Sequence, residues 1–282
     1  MEDIPLYLGK RKNILVISGG GLRGFSALGA LSRLMELEII VNPEIYCGTS
    51  VGSVICLLMI IGFSPRDIYD ILYELDFQNL MINNIDNIFD DVHIGLNKLD
   101  PVIFIIGSLM KSKKVKINTT FLDLYNRFNV KLIVTGTCVN DASLHYFSHE
   151  LTPEMKILDA IKISISIPIL FIPHIYNGKI WVDGGCMNNY PIDLFHDKLL
   201  DVIGIYMDEN YINYDIFEDV QTYVQQIMKS LLIGISLHKL EFYKNNTIII
   251  KSNINSDNWD IKNDDKFQMY NTGYELVKNK FG

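Results

Sequence analysis

The chain has 282 residues, 49% hydrophobic and 21% charged, far from the polar, highly charged composition that keeps a chain unfolded. With 25 basic and 33 acidic side chains its formal net charge is −8, so phosphate backbones meet no general attraction and no nucleic-acid partner is expected. The length suits one large α/β domain, expected over residues 13–282 behind a short N-terminal segment, 1–12.

Met1 to Lys12 mixes Glu2, Asp3, Pro5 and three basic residues without an apolar h-region, so no secretory signal is read and an intracellular, cytoplasmic protein is expected. Asn13 to Ser18 carries the run Ile14-Leu15-Val16-Ile17 and predicts a strand buried on both faces. Arg23 to Glu36 places Phe25, Leu28, Leu31 and Met35 at helical spacing, with Ser26, Ala27, Gly29 and Ala30 small enough to pack closely on a sheet. Ile45 to Cys47 predicts a short strand and Val51 to Ile61 a buried helix. Ser64-Pro65 supplies an N-cap and a first-position proline for a helix over Pro65 to Leu75. Asp76 to Gly95, rich in Asn and Asp, reads as a loop or lid. The apolar runs Val54 to Phe63 and Val102 to Gly107 fall short of the ~20 residues that cross a bilayer and read as buried elements. Strands are predicted at Lys131–Val139, Leu144–His149, Lys179–Val182, Val202–Met207 and Thr247–Lys251. Helices are predicted at Lys156–Ser166, Phe217–Lys244 and Asp265–Phe281, and this alternation gives a mainly parallel sheet covered on both faces. Cys47, Cys56, Cys138 and Cys186 lack metal-ligand spacing and read as buried thiols, so no metal is implied.

Three glycine-bearing motifs carry the chemistry. Gly19-Gly20-Gly21-Leu22-Arg23-Gly24 lies between a strand and a helix, where it fits a dinucleotide fingerprint, a structural turn, or a set of N–H groups that hold an oxyanion. The acid that a nucleotide site wants at the end of the second strand is missing, because Glu44 stands at the start of it. Gly48-Thr49-Ser50-Val51-Gly52 is a G-x-S-x-G between a strand and an apolar helix, the setting of a nucleophile elbow with Gly48 and Gly52 as its outer glycines. Asp183-Gly184-Gly185 follows a strand, as a turn dipeptide often does, and its aspartate could take a proton from a serine if the two edges met.

The ordered set G-G-G-x-R-G, G-T-S-x-G and D-G-G resembles the patatin-like phospholipase family of serine acyl hydrolases. Ser164-Ile165-Ser166-Ile167-Pro168, Asn188-Asn189-Tyr190-Pro191 and Tyr270 to Glu275 resemble its supporting segments, with isoleucines where the family often has alanines near Pro168. The resemblance implies a three-layer α/β/α sandwich with a mainly parallel central sheet and no cofactor. It implies a Ser-Asp dyad without a catalytic histidine: Ser50 as nucleophile, Asp183 as base, and the loop from Gly19 through Gly20, Gly21, Leu22 and Arg23 to Gly24 as oxyanion hole, Gly184 and Gly185 forming the supporting turn. Arg23 would either reinforce that hole or hold the loop. The substrate implied is a phospholipid or other acyl-ester lipid; without an EF-hand loop or a comparable run of oxygen ligands calcium-independent activity is expected, and without a membrane anchor transient docking at a membrane or micelle surface is expected.

A carboxylate titrating near 4 would be a weak base for this task. The rival within enzymes is a Ser-His-Asp esterase using His93, His145, His149, His174, His196 or His238, and the rival outside them is a dead lipid-binding homologue. Lys111, Lys113, Lys114 and Lys116 form the one dense basic cluster, either a solvated loop or a contact for anionic lipid.

Overall fold

Ile14, Leu15, Val16 and Ile17 form the buried centre of a sheet, and they alternate between two separate apolar cores. In the computed structural model, which describes residues 11–81, 95, 97–208, 220–251 and 259–282, they belong to β1 (Lys12–Ile17). A glycine turn and one 3-10 turn at Gly21–Arg23 lead into α1 (Gly24–Glu36). β2 (Ile40–Gly48) begins earlier than the predicted Ile45. Its register explains why: Lys12 pairs with Ile40 but Ile14 with Ile45, so Val41 to Glu44 bulge around Asn13, and Asn42 sits at φ 49° beside Pro43.

Next come α2 (Val51–Ile60), α3 (Pro65–Tyr73) and the single turn α4 (Phe77–Leu80). The predicted cap of α3 is a reciprocal box, Ser64 Oγ accepting the Asp67 N–H and the Asp67 carboxylate accepting the Ser64 N–H. The predicted lid begins as α4, and residues 82–94 lie outside the described residues. α5 (Asp100–Ser112) holds the run read as buried, but only Ile106, Gly107 and Met110 are enclosed. Its other apolar residues line a pocket or face outward, a distinction that hydrophobicity alone does not make.

The chain continues through α6 (Phe121–Phe128), β3 (Lys131–Cys138), β4 (Ser143–Phe147), α7 (Ile157–Ser164), β5 (His174–Tyr176) and β6 (Lys179–Asp183). α6 and β5 were not predicted, one being two turns long and the other three residues. After α8 (Gly185–Asn188) and the 3-10 segment Pro191–Lys198 come β7 (Val202–Asp208), α9 (Val220–Phe242), β8 (Thr247–Lys251) and α10 (Asn263–Phe281).

β3, β2, β1, β7 and β8 are parallel neighbours in that order, while β4 and β6 each pair antiparallel with β3, and β5 pairs antiparallel with β6. Alternate residues serve the two faces: Leu15, Tyr46, Val134 and Ile205 join the larger core with α1, α2, α7 and α10. Val16, Cys47, Ile133 and Tyr206 join the smaller one with Tyr190, Phe195 and Tyr243. This is the three-layer α/β arrangement with a mainly parallel sheet. One close contact differs from expectation. A Cβ added at Gly29 would lie 1.9 Å from the Tyr270 carbonyl oxygen, and one at Gly273 1.8 Å from that of Ser26, so Gly29 packs on α10 and not on the sheet.

Candidate active site

β2 ends at Gly48, Thr49 N–H donates to the Ile17 carbonyl at 3.1 Å, and α2 starts at Val51. Ser50 is left at the apex with φ 51° and ψ −128°, a conformation that costs a non-glycine residue about 1–3 kcal/mol and persists only when the surroundings enforce it. Those surroundings are tight. A Cβ at Gly48 would come within 2.5 Å of the Gly52 carbonyl group, and one at Gly52 within 2.5 Å of the Ile17 carbonyl oxygen. The elbow therefore admits no side chain at either outer position.

Asp183 closes β6, and the sheet register accounts for its position opposite Ser50. Val134 and Gly136 of β3 both pair with β4, through Phe147 and His145. Gly48 pairs with Val134 and Asp183 with Gly136, so both must lie along the other edge of β3, where β2 running up meets β6 running down. The two catalytic candidates thus meet head to head on one strand edge. The turn between them is closely packed, since a Cβ at Gly184 would sit 2.1 Å from Thr135 Oγ1.

Both residues are almost wholly enclosed, Ser50 6% and Asp183 5% exposed. Burial pushes the Asp183 carboxyl up to about 7, against the Ser50 hydroxyl and the Gly185 N–H, which favour the charged form. The Gly185 N–H donates to Asp183 Oδ1 at 2.6 Å. The carboxylate is accordingly a stronger base than the ordinary one expected from sequence.

The glycine loop sorts its N–H groups into two sets. Gly19 N–H donates to the Asn189 carbonyl, Arg23 N–H to that of Gly20, and Gly24 N–H to those of Gly21 and Leu22. Among the described residues, the N–H groups of Gly20, Gly21 and Leu22 find no acceptor, as expected at the start of a helical turn. Gly21 and Leu22 line the same pocket as Ser50. That pocket holds about 990 Å³ of empty space out to its open mouth and is walled by apolar side chains from α2, α3, α5 and the end of α7, Val54, Leu72, Val102, Ile105 and Leu109 among them. Such a wall suits a hydrocarbon chain and not a pyrophosphate, which removes the dinucleotide reading of the loop.

Residues 15–196 match the family model of the patatin-like phospholipases. The chain belongs to that family. It is 35% identical over 191 residues to a protein named probable lipid hydrolase 463L of Invertebrate iridescent virus 6, covering 65% of this chain and 64% of the relative. An uncharacterized protein of Acanthamoeba polyphaga mimivirus, R571, is 28% identical over 278 residues, 94% of this chain and 92% of that one. In fold it resembles VipD of Legionella pneumophila (TM-score 0.65, 17% identity, 96% of this chain and 67% of that chain). ExoU of Pseudomonas aeruginosa shares the fold less closely (TM-score 0.54, 15% identity, 96% of this chain and 53% of that chain).

In this patatin-like chain Arg23 is buried, its guanidinium donating to the carbonyls of Gly20 at 3.1 Å and Asp208 at 2.7 Å, which ties the glycine loop to the end of β7. The segment Ser164 to Pro168 does more than the sequence revealed. Ser164 Oγ accepts the Ser50 N–H at 2.9 Å, and the Ser166 carbonyl accepts the Asp183 N–H at 2.9 Å, so one short segment holds both candidates. Ile165 and Ile167, the departures from the family pattern, line the pocket. A further link was not signalled: Thr135 Oγ1 donates to Thr49 Oγ1 at 2.8 Å, and Thr49 to the Asn188 carbonyl at 3.2 Å, fixing the elbow to α8.

The described histidines are engaged away from this pocket. His145 contacts Ser143 Oγ, His149 stacks on Tyr125, His174 faces Asp159, and His196 lies against Tyr243. His238 is exposed on α9, and His93 lies outside the described residues. Cys47, Cys56 and Cys138 are buried free thiols as predicted, while Cys186 is only partly enclosed.

Proposed function

We propose that this chain hydrolyses fatty-acyl esters of lipids, phospholipids and lysophospholipids included, through an acyl-Ser50 intermediate. Asp183 takes the Ser50 proton as Oγ attacks the ester carbonyl carbon, and the Gly20, Gly21 and Leu22 N–H groups receive the tetrahedral oxyanion. The intermediate collapses with loss of the alcohol, which leaves with the proton from Asp183. Water then gives a proton to Asp183 and attacks the acyl-serine, and as the fatty acid is released Asp183 returns that proton to Ser50 Oγ, restoring both residues. The observation that carries the reading is the head-to-head meeting of Ser50 and Asp183, with Ser50 lining an apolar pocket. The acyl chain lies in that pocket, and the ester is presented by a membrane or micelle on which the chain docks reversibly. No helix of the described residues is long and apolar enough to cross a membrane.

A fluorophosphonate probe followed by peptide mapping tests the assignment. The adduct should form on Ser50 and vanish in Ser50→Ala. Asp183→Asn should slow turnover about 10²–10⁴-fold, while His196→Ala and His238→Ala stay within about tenfold of wild type and a calcium chelator changes nothing. Labelling of another serine would overturn the Ser50 assignment, and a histidine variant as inactive as Ser50→Ala would favour the conventional triad.

A further inference from the structure

We propose that the outer face of α5, together with the turn that follows it, docks the chain on anionic lipid bilayers; the proposal rests on the acyl-hydrolase reading and names the surface through which its substrate is met. α5 has two apolar sides. Val102, Ile105, Ile106 and Leu109 line the pocket that reaches Ser50. Phe104, on the same helix, is 74% exposed, and Ser108 and Lys111 continue its face one and two turns on. The Ser108 hydroxyl donates to the Phe104 carbonyl at 2.8 Å, so the one polar side chain between them is satisfied within the helix. Ile117, 48% exposed, sits against this helix where Gly107 has no side chain: a Cβ there would lie 3.4 Å from Ile117 Cγ2.

Beside Ile117 stand Lys111, Lys114 and Lys116, all exposed and bordering one shallow concavity with it, and Lys111 also shares the helix face of Phe104. Among the described residues none of the three pairs with a carboxylate. Lys113, grouped with them in the sequence, does different work. Its Nζ donates to the Gly62 carbonyl at 2.8 Å and lies 4.3 Å from the Phe63 ring centroid, which anchors α5 to the end of α2. The turn that presents the other lysines is held by Arg127, whose guanidinium donates to the carbonyls of Lys114 at 2.6 Å and Lys113 at 3.3 Å. Unpaired lysines around exposed Phe and Ile complement a surface that is anionic outside and apolar beneath. The net charge of −8 does not prevent this, because charges farther than about 8 Å are screened at physiological ionic strength. Docked in this way, α5 has the bilayer on its outer face and the acyl pocket on its inner one.

The test uses vesicles of phosphatidylcholine with and without phosphatidylserine. Wild type should bind the anionic vesicles in a salt-sensitive manner. The triple variant Lys111→Gln, Lys114→Gln, Lys116→Gln should bind them about tenfold or more weakly at low salt, with hydrolysis of a short soluble ester unchanged. In Phe104→Trp, brominated acyl chains should quench the new fluorophore, and Phe104→Ser should weaken binding without altering short-ester turnover. Wild-type affinity in the triple variant and in Phe104→Ser, or no quenching at position 104, would overturn the proposal. So would equally strong, lysine-dependent binding to a soluble polyanion, which would point to an acidic macromolecule. If the protein cleaved no ester but its vesicle binding depended on these residues, the hydrolase reading would fall and the docking surface would stand.

Discussion

Taking a carboxylate out of water favours its protonated form, and the burial of Asp183 bears in opposite directions on the proposed chemistry and on stability. With its carboxyl at about 7, Asp183 becomes charged near neutral pH, so kcat/KM on a soluble ester should rise with pH and level off above an inflection near 7. Stability should run the other way. An unfolded aspartate titrates near 4, so between about pH 4 and 7 the folded chain holds a proton that the unfolded chain has lost. Asp183 therefore favours the fold fully below pH 4, and this contribution is lost as pH rises through 7. Asp183→Asn removes the titration while its amide oxygen can still accept the Gly185 N–H. The variant should melt close to wild type at pH 4 and above it at pH 8, by an amount on the order of 1–3 kcal/mol, while turnover collapses. Equal melting temperatures at both pH values would show that Asp183 titrates as an ordinary surface acid.

Among the elements, the crossing of α1 on α10 depends on glycine at both contact points, and α9 supplies the opposite case. Gly273→Val would drive a side chain into the Ser26 carbonyl and should lower stability by about 3 kcal/mol or more, seen as a fall of several degrees in the melting temperature. A Cβ at Gly234, in the middle of α9, would meet nothing within 4 Å, so Gly234→Ala should stabilise by about 0.5–1 kcal/mol. The same contrast explains what the sequence could reveal. Ile14 to Ile17 announced a doubly covered strand because every residue there is apolar, and Ser64-Pro65 announced a helix start because its cap is local. The early part of β2 stayed hidden behind Asn42 and Pro43, whose bulge depends on pairing with β1. The apolar run in α5 was read as core because hydrophobicity does not separate a pocket wall or an exposed stud from a buried face.

Across the whole molecule, the candidate site exists only because distant segments share one edge of β3. The three motifs were legible as glycine spacings around a serine and an aspartate, but their meeting was not, since strand direction and register are tertiary properties. β6 runs antiparallel to β3, and Ser164 was legible as part of a family-like segment but not as the acceptor of the Ser50 N–H. β7, β8 and α10 lie beyond residues 15–196, yet they complete the sheet and the packing of α1. The central claim is tested most directly by incubating mixed phospholipid vesicles with wild type and Ser50→Ala side by side and resolving the products by mass. Wild type should release free fatty acid together with lysophospholipid or its fully deacylated product, and Ser50→Ala neither; equal release by both proteins, or by neither, would contradict it.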